Sequence, residues 1–226
     1  MKNNSELITY LFNGKGGRLP EEFLSWMQDS ARFADFVEDY RDKIRKKVRV
    51  ASEPEGLLDV RAELDIARVL LSDKRVKVNY ELGASSKRRI PDFTVTFRES
   101  LAFNIEVSRM QANVNAEERI IRILLEKLGQ MQSGVPNLLA IYTQAHAEGL
   151  IDLGELMHQV KLWADGTAPA LYSRSQYKSP AAFYKDFTRL NGILLWAPGG
   201  KLWVNKQARP VLDEKIIRLV GSLGFL

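Results

Sequence analysis

Residues 91–109 read PDFTVTFRESLAFNIEVSR, and how they are read decides the fold. Apolar and polar residues alternate over 92–97 (DFTVTF) and again over 102–107 (AFNIEV), with Arg98-Glu99-Ser100 between them. A period of two marks a strand and the polar triplet marks a turn, so the spacing predicts a β-hairpin. Alternation sends Phe93, Val95 and Phe97 to one face and leaves Asp92, Thr94 and Thr96 on the other. In the second strand Phe103, Ile105 and Val107 are apolar, leaving Asn104, Glu106 and Ser108 opposite. Two adjacent strands therefore each carry a carboxylate on a polar face. A merely solvated face would account for Thr94, Thr96 and Asn104 without any function.

The pattern extends in both directions. Upstream, residues 56–72 read as an amphipathic helix and 76–81 as a strand, followed by a polar, basic loop over 83–89 that leads to Pro91. Downstream, 116–132 is a helix with a strongly apolar face and 138–142 a short buried strand. The order is α-β-β-β-α-β, which predicts an α/β fold with a central mixed sheet flanked by helices. The first fifty residues read as helical: Pro20 opens one helix, and an amphipathic segment runs through Phe33, Phe36, Val37, Tyr40 and Ile44. That segment ends in the basic run 41–49, and Ser52-Glu53-Pro54 closes the region. Beyond 143, helices are expected over 151–163 and 180–190. A hairpin is expected from 193–196 and 202–204 around Ala197-Pro198-Gly199-Gly200, and a last helix over 211–219 behind Pro210. No linker composition interrupts the chain. It reads as one domain over 1–226, with a helical N-terminal elaboration (1–50), a core (55–143) and a C-terminal elaboration (144–226).

Composition narrows the function classes. Among 226 residues, 33 are basic and 28 acidic, a formal charge of +5 that favours polyanionic partners without requiring them. There is no cysteine, which excludes disulfides, thiolate zinc sites and cysteine nucleophiles. With only two histidines, His146 and His158, a multi-histidine metal site is nearly excluded too. No apolar run approaches the roughly 20 residues of a membrane span, and the N-terminus lacks a signal-like apolar region. The expectation is a soluble, cytoplasmic protein with no membrane partner. Gly14-Lys15-Gly16-Gly17 lacks the spacing and the terminal Ser/Thr of a phosphate loop. Gly221-Ser222-Leu223-Gly224 is one residue short of a nucleophile elbow. Trp163, Trp196 and Trp203 read as packing residues.

The helix at 56–72 holds the third unusual carboxylate. Leu57, Val60, Leu64, Ala67, Leu70 and Leu71 share one face, and Glu63 falls near its middle. Burying an unpaired carboxylate costs several kcal/mol, so a cation is expected beside it. An arginine in a buried ion pair would serve, and so would a metal ion.

A helical Glu63 on an apolar face, Pro91-Asp92 opening a strand, and Glu106-Val107-Ser108 on the paired strand together resemble the PD-(D/E)XK nuclease superfamily. The resemblance covers roughly 55–143 and includes the α-β-β-β-α-β order of that superfamily's restriction-endonuclease-like core. It implies that Asp92, Glu106 and the Val107 carbonyl bind Mg²⁺ or Mn²⁺, with Glu63 holding a second metal or a metal-bound water. The implied activity is hydrolysis of phosphodiester bonds in a nucleic acid, DNA by preference, by an endonuclease or exonuclease in defence, restriction or repair. The alternative is a catalytically impaired nuclease-like module that binds nucleic acid or serves in an assembly. A homodimer or larger assembly is left open.

One departure stands out: the family's lysine belongs where this chain has Ser108. A serine supplies no positive charge to the transition state. Either a lysine acts from elsewhere, or the metal acts alone, or catalysis is lost. Lys127 is the replacement the helix pattern favours, because it shares a margin with Ile120, Ile123, Leu124 and Met131. Its ordinary reading is a stem packed on the core with its head in water. Gln130 lies one turn along the same margin. Lys87, Arg88 and Arg89, just before Pro91, are candidate phosphate contacts or else an ordinary solvated loop. Arg109 ranks behind Lys127, since alternation sends it to the face opposite Ser108 if the strand continues.

Overall fold

Apolar periodicity in the first eighty residues builds a helical layer. A computed structural model of the protein describes residues 4–51, 53–81, 90–110, 115–143, 151–166, 177–196 and 200–225. It divides into two units, Met1–Tyr80 and Glu81–Leu226, so the boundary falls inside the 55–143 core assigned from sequence. In the first unit lie α1 (Asn4–Phe12), α2 (Leu19–Asp29), α3 (Ala31–Asp39), α4 (Arg41–Val50), α5 (Pro54–Ser72) and β1 (Val76–Tyr80). The segment through Phe33 and Ile44, read from sequence as one helix, is two. Tyr40 leaves helical geometry (φ −108°, ψ 15°) between α3 and α4, while its ring packs on Phe36 and Tyr80. The periodicity survives the break because Phe33, Val37, Ile44 and Val48 all enter one buried layer.

Arg32 closes the far end of this unit. Its guanidinium donates to the carbonyls of Leu71 (2.6 Å), Asp73 (2.7 Å) and Val76. These include carbonyls that the end of α5 leaves without helical partners. In the same turn, the Arg75 side chain bonded to Asp73 holds that carboxyl below the usual carboxylate range.

The second unit contains β2 (Phe93–Phe97), β3 (Leu101–Arg109), α6 (Ala116–Leu128), β4 (Asn137–Tyr142), α7 (Leu153–Ala164), α8 (Pro180–Phe187), β5 (Leu190–Trp196), β6 (Lys201–Val204) and α9 (Glu214–Val220). The fold is α/β. Strands β2 to β6 lie in sequence order in a mixed sheet. The β2–β3 and β5–β6 pairs are antiparallel, whereas β3, β4 and β5 run parallel. The hairpin turn forms with Arg98 and Glu99 both in the left-handed region (φ 50° and 63°). The last helix begins at Glu214 rather than at 211, because the Asp213 side chain caps it through the Lys215 N–H.

Register decides which strand face is covered by helices. Glu106 stands beside Leu139 and Ser108 beside Ile141. Leu139 and Ile141 belong to the core that Ile120, Ile123 and Leu124 of α6 share with Leu156, Val160 and Phe187 of α7 and α8. The polar-patterned face of β3 is therefore covered by helices rather than solvated.

Buried asparagines run across that sheet. Thr94 Oγ1 donates to Asn104 Oδ1 (3.1 Å), and Asn104 Nδ2 to Asn137 Oδ1 (3.2 Å). Asn137 Nδ2 contacts the carbonyls of Gln132, Val135 and Arg189, and its N–H donates to Asn191 Oδ1. Gly192 follows, where an added Cβ would lie 2.7 Å from the Trp203 carbonyl oxygen, so only glycine allows β6 this close. Replacing Asn137 by Ala strands several of these partners in a site that is 2% exposed. The expected loss of unfolding free energy in urea titration is about 3 kcal/mol, one to two unsatisfied groups' worth. A loss under about 0.5 kcal/mol, the size of a surface substitution, would mean that the network is not stabilising.

Candidate active site

The site grows from the start of β2 and the far half of β3. Pro91 is buried, and Asp92 follows it just before the strand begins. Past the end of the ladder, the Asp92 carboxylate replaces the missing backbone partner: its Oδ2 accepts the Val107 N–H at 2.8 Å. Within an extended strand a residue's N–H and C=O point to the same neighbour, so the Val107 carbonyl lies along that edge too. Glu106, one residue earlier, points into the helix-covered face and is 3% exposed.

Lys127, from the last turn of α6, answers it. Its Nζ donates to Glu106 Oε2 at 3.0 Å and lies 3.7 Å from Asp92 Oδ2. The helix positions 120, 123, 124 and 128 are buried in the core. Lys127 sits at the margin of that stripe, where a long side chain reaches past the apolar layer to the strand end. Its ammonium is bonded to the carboxylate rather than held out in water. Two carboxylates thus converge on one cationic atom, so these three groups retain an excess of negative charge. Exposure of the Asp92 and Lys127 side chains, 17% and 20%, leaves this cluster open to solvent on one side.

The donor set fits a hard divalent cation. Asp92, Glu106 and the Val107 carbonyl offer oxygen alone, and Mg²⁺ characteristically takes one or two carboxylates while keeping several waters. That Asp92 and Glu106 already gather around an ammonium is the observation in favour of the fit. Among the described residues, no three or more His, Asp or Glu side chains group together as a metal cage.

Other expected residues fall in several places. Glu63, in the first unit, accepts from Lys47 Nζ at 2.6 Å and from the Tyr80 hydroxyl. A cation does wait beside it, but it is a lysine rather than an arginine, and a tyrosine joins it. Ser108 is half-buried on the Glu106 face beside Ile141. Strand β3 continues through Arg109, which pairs with Tyr142, so alternation places Arg109 opposite Ser108. Gln130 bonds back to the Glu126 carbonyl. Lys87, Arg88 and Arg89 lie outside the described residues, as does His146, and His158 is exposed.

Sequence reasoning missed Lys47, Tyr80 and the asparagines. Tyr80 had a signal, since it continues the 76–78–80 alternation of β1 into the buried side. Lys47 had none beyond its place in a basic run. No known protein family matches the chain, and no curated protein or solved structure matches it significantly.

The ion pair makes a stability prediction. Lys127→Met leaves Glu106 buried without its ammonium and should lower the unfolding free energy by roughly 3 kcal/mol. Combining it with Glu106→Gln removes the stranded charge, so the double variant should recover most of that loss. A double variant no more stable than Lys127→Met in chemical denaturation would refute the coupling.

Proposed function

We propose that this chain is a metal-dependent nuclease that hydrolyses DNA phosphodiester bonds, built on a restriction-endonuclease-like core. One observation carries the reading: Asp92 and Glu106 converge on Lys127 Nζ, at 3.7 and 3.0 Å, in a partly solvent-accessible cluster where β2 begins beside the far half of β3. The order α5-β1-β2-β3-α6-β4 along the chain supports it as well.

The residues divide the work. Asp92 and Glu106, with the Val107 carbonyl, would hold Mg²⁺ or Mn²⁺, and the ion supplies Lewis acidity toward the phosphate and acidifies water. Lys127 takes the part that Ser108 cannot, presenting positive charge to the phosphoryl oxygens as negative charge develops on them. Its hydrogen bond to Glu106 holds the ammonium in place beforehand, which spares reorganisation during the reaction. Ser108 contributes a hydroxyl on the same face and no charge. Lys87, Arg88 and Arg89, just ahead of Asp92 in the chain, are assigned to the phosphate backbone. In this scheme water adds to phosphorus and one ester oxygen departs.

The second reading, a nuclease-like module that binds nucleic acid without cutting it, draws on Ser108 and on the pairing of Glu106 with Lys127.

Plasmid and single-stranded DNA incubated with Mg²⁺ or Mn²⁺ test the choice. Wild-type protein should cleave, and Asp92→Ala and Lys127→Ala should each lose at least about 100-fold in rate, the scale of one preorganised electrostatic contact. Cleavage that persists in Asp92→Ala sinks the assigned site, and full activity in Lys127→Ala sinks the transferred lysine. Binding without cleavage by the wild type favours the second reading.

A further inference from the structure

We propose that the exposed face of α4 in the first unit is a docking surface for the phosphate backbone of nucleic acid, indifferent to base sequence. This deepens the nuclease reading by naming a second contact with the same polymer, yet it stands on different residues.

Helix α4 reads RDKIRKKVRV, with Arg41, Lys43, Arg45, Lys46, Lys47 and Arg49 against a single acid, Asp42. Only Ile44 and Val48 are buried, and they anchor the helix to its unit. Asp42 in the first turn and Lys47 and Arg49 in the last suit the helix dipole, but like charges along the helix crowd one another. Arg41/Arg45, Lys43/Lys47 and Arg45/Arg49 are like charges four residues apart, each costing about 0.2–0.5 kcal/mol. Arg41 and Lys43 also sit in the first turn, where the helix dipole disfavours cations. Packing alone requires none of this. A polyanion laid along the face would offset the repulsion among its exposed cations.

Several of these cations have structural duties, which isolates the docking face. Arg41 pairs with Glu38, and Lys47 with Glu63. The one acid is engaged as well: Asp42 accepts the Tyr10 hydroxyl at 2.6 Å. Lys46 and Arg49 are exposed, and Arg45 stacks with its guanidinium carbon 4.1 Å from the Tyr10 ring centroid. These three side chains fall within about 100° of helix circumference, given 3.6 residues per turn. Stacking holds the Arg45 fork in a plane, the geometry that bidentate phosphate contacts use. Tyr10, itself 37% exposed, adds an aromatic ring beside the charges. Cations of this kind grip the backbone and carry no base information.

The test uses the entire 226-residue chain in EDTA, so that cleavage plays no part. Anisotropy of a labelled duplex is followed across salt concentrations for wild type and for Lys46→Gln/Arg49→Gln. The variant should bind roughly tenfold or more weakly near 0.1 M salt, with the log–log salt slope reduced by about 2, one unit per lost phosphate contact. The charge-preserving Lys46→Arg/Arg49→Lys should bind like wild type, and circular dichroism should show both variants folded. Unchanged affinity and slope in Lys46→Gln/Arg49→Gln overturns the proposal. So does a wild type that prefers vesicles of anionic lipid to the duplex and loses that preference in the variant. Failure of the nuclease reading appears separately, as absence of cleavage with Mg²⁺ while the dependence on α4 persists.

Discussion

The hydrogen bond between Lys127 and Glu106 is the constraint around which the second unit is arranged. Glu106 lies on the face of β3 that packs under the helices, beside Leu139, at 3% exposure. A carboxylate there is tolerated only with an opposite charge in contact, because the apolar layer offers no solvation. The ammonium comes from α6, so the register of β3 and the rotation of α6 are tied together. Slipping β3 by one residue would turn Glu106 to the opposite face and bring Val107 or Ile105 to the ammonium.

The asparagines extend the same logic along the sheet. Asn104 lies two residues before Glu106 on the same face, and its amide meets Asn137 on the neighbouring strand. Asn137 in turn gathers the loop carbonyls of Gln132 and Val135 and links β4 to Asn191 of β5. Parallel strands receive no hairpin to set their alignment, so such cross-strand side-chain bonds do that work here. Two polar devices thus lie on one face of β3, a neutral network toward its start and an ionic cluster toward its end.

Much of this was legible in the chain, and what was not has physical causes. Strict alternation over 92–97 and 102–107 identified the hairpin because a period of two has few competing explanations. It could not say that the polar face was covered, since that depends on which side α6 crosses over. Lys127 was visible as a residue on the margin of an apolar stripe, yet its partner is 21 positions away and no local spacing reports such a pairing. The break at Tyr40 was hidden because both flanking helices feed one layer. The start of α9 was misjudged because a proline such as Pro210 often stands at a helix start, whereas Asp213 supplies the actual cap. Glu63 was correctly expected to need a cation. Its partner came from α4, where Lys47 looks like any other member of the basic run.

Under the proposed nuclease reading, the serine at 108 and the lysine at 127 are two halves of one arrangement. Position 108 shares the face of Glu106, so a lysine there would also project beneath α6, toward the same carboxylates. With Lys127 already bonded to Glu106 and 3.7 Å from Asp92, a second ammonium would make these four groups neutral overall. It would also crowd two like charges together in a half-buried space. A site meant to attract a divalent cation must stay net negative, and one lysine meets that condition where two would not. Serine, small and uncharged, then fits the strand position beside Ile141, and the single ammonium comes from the helix.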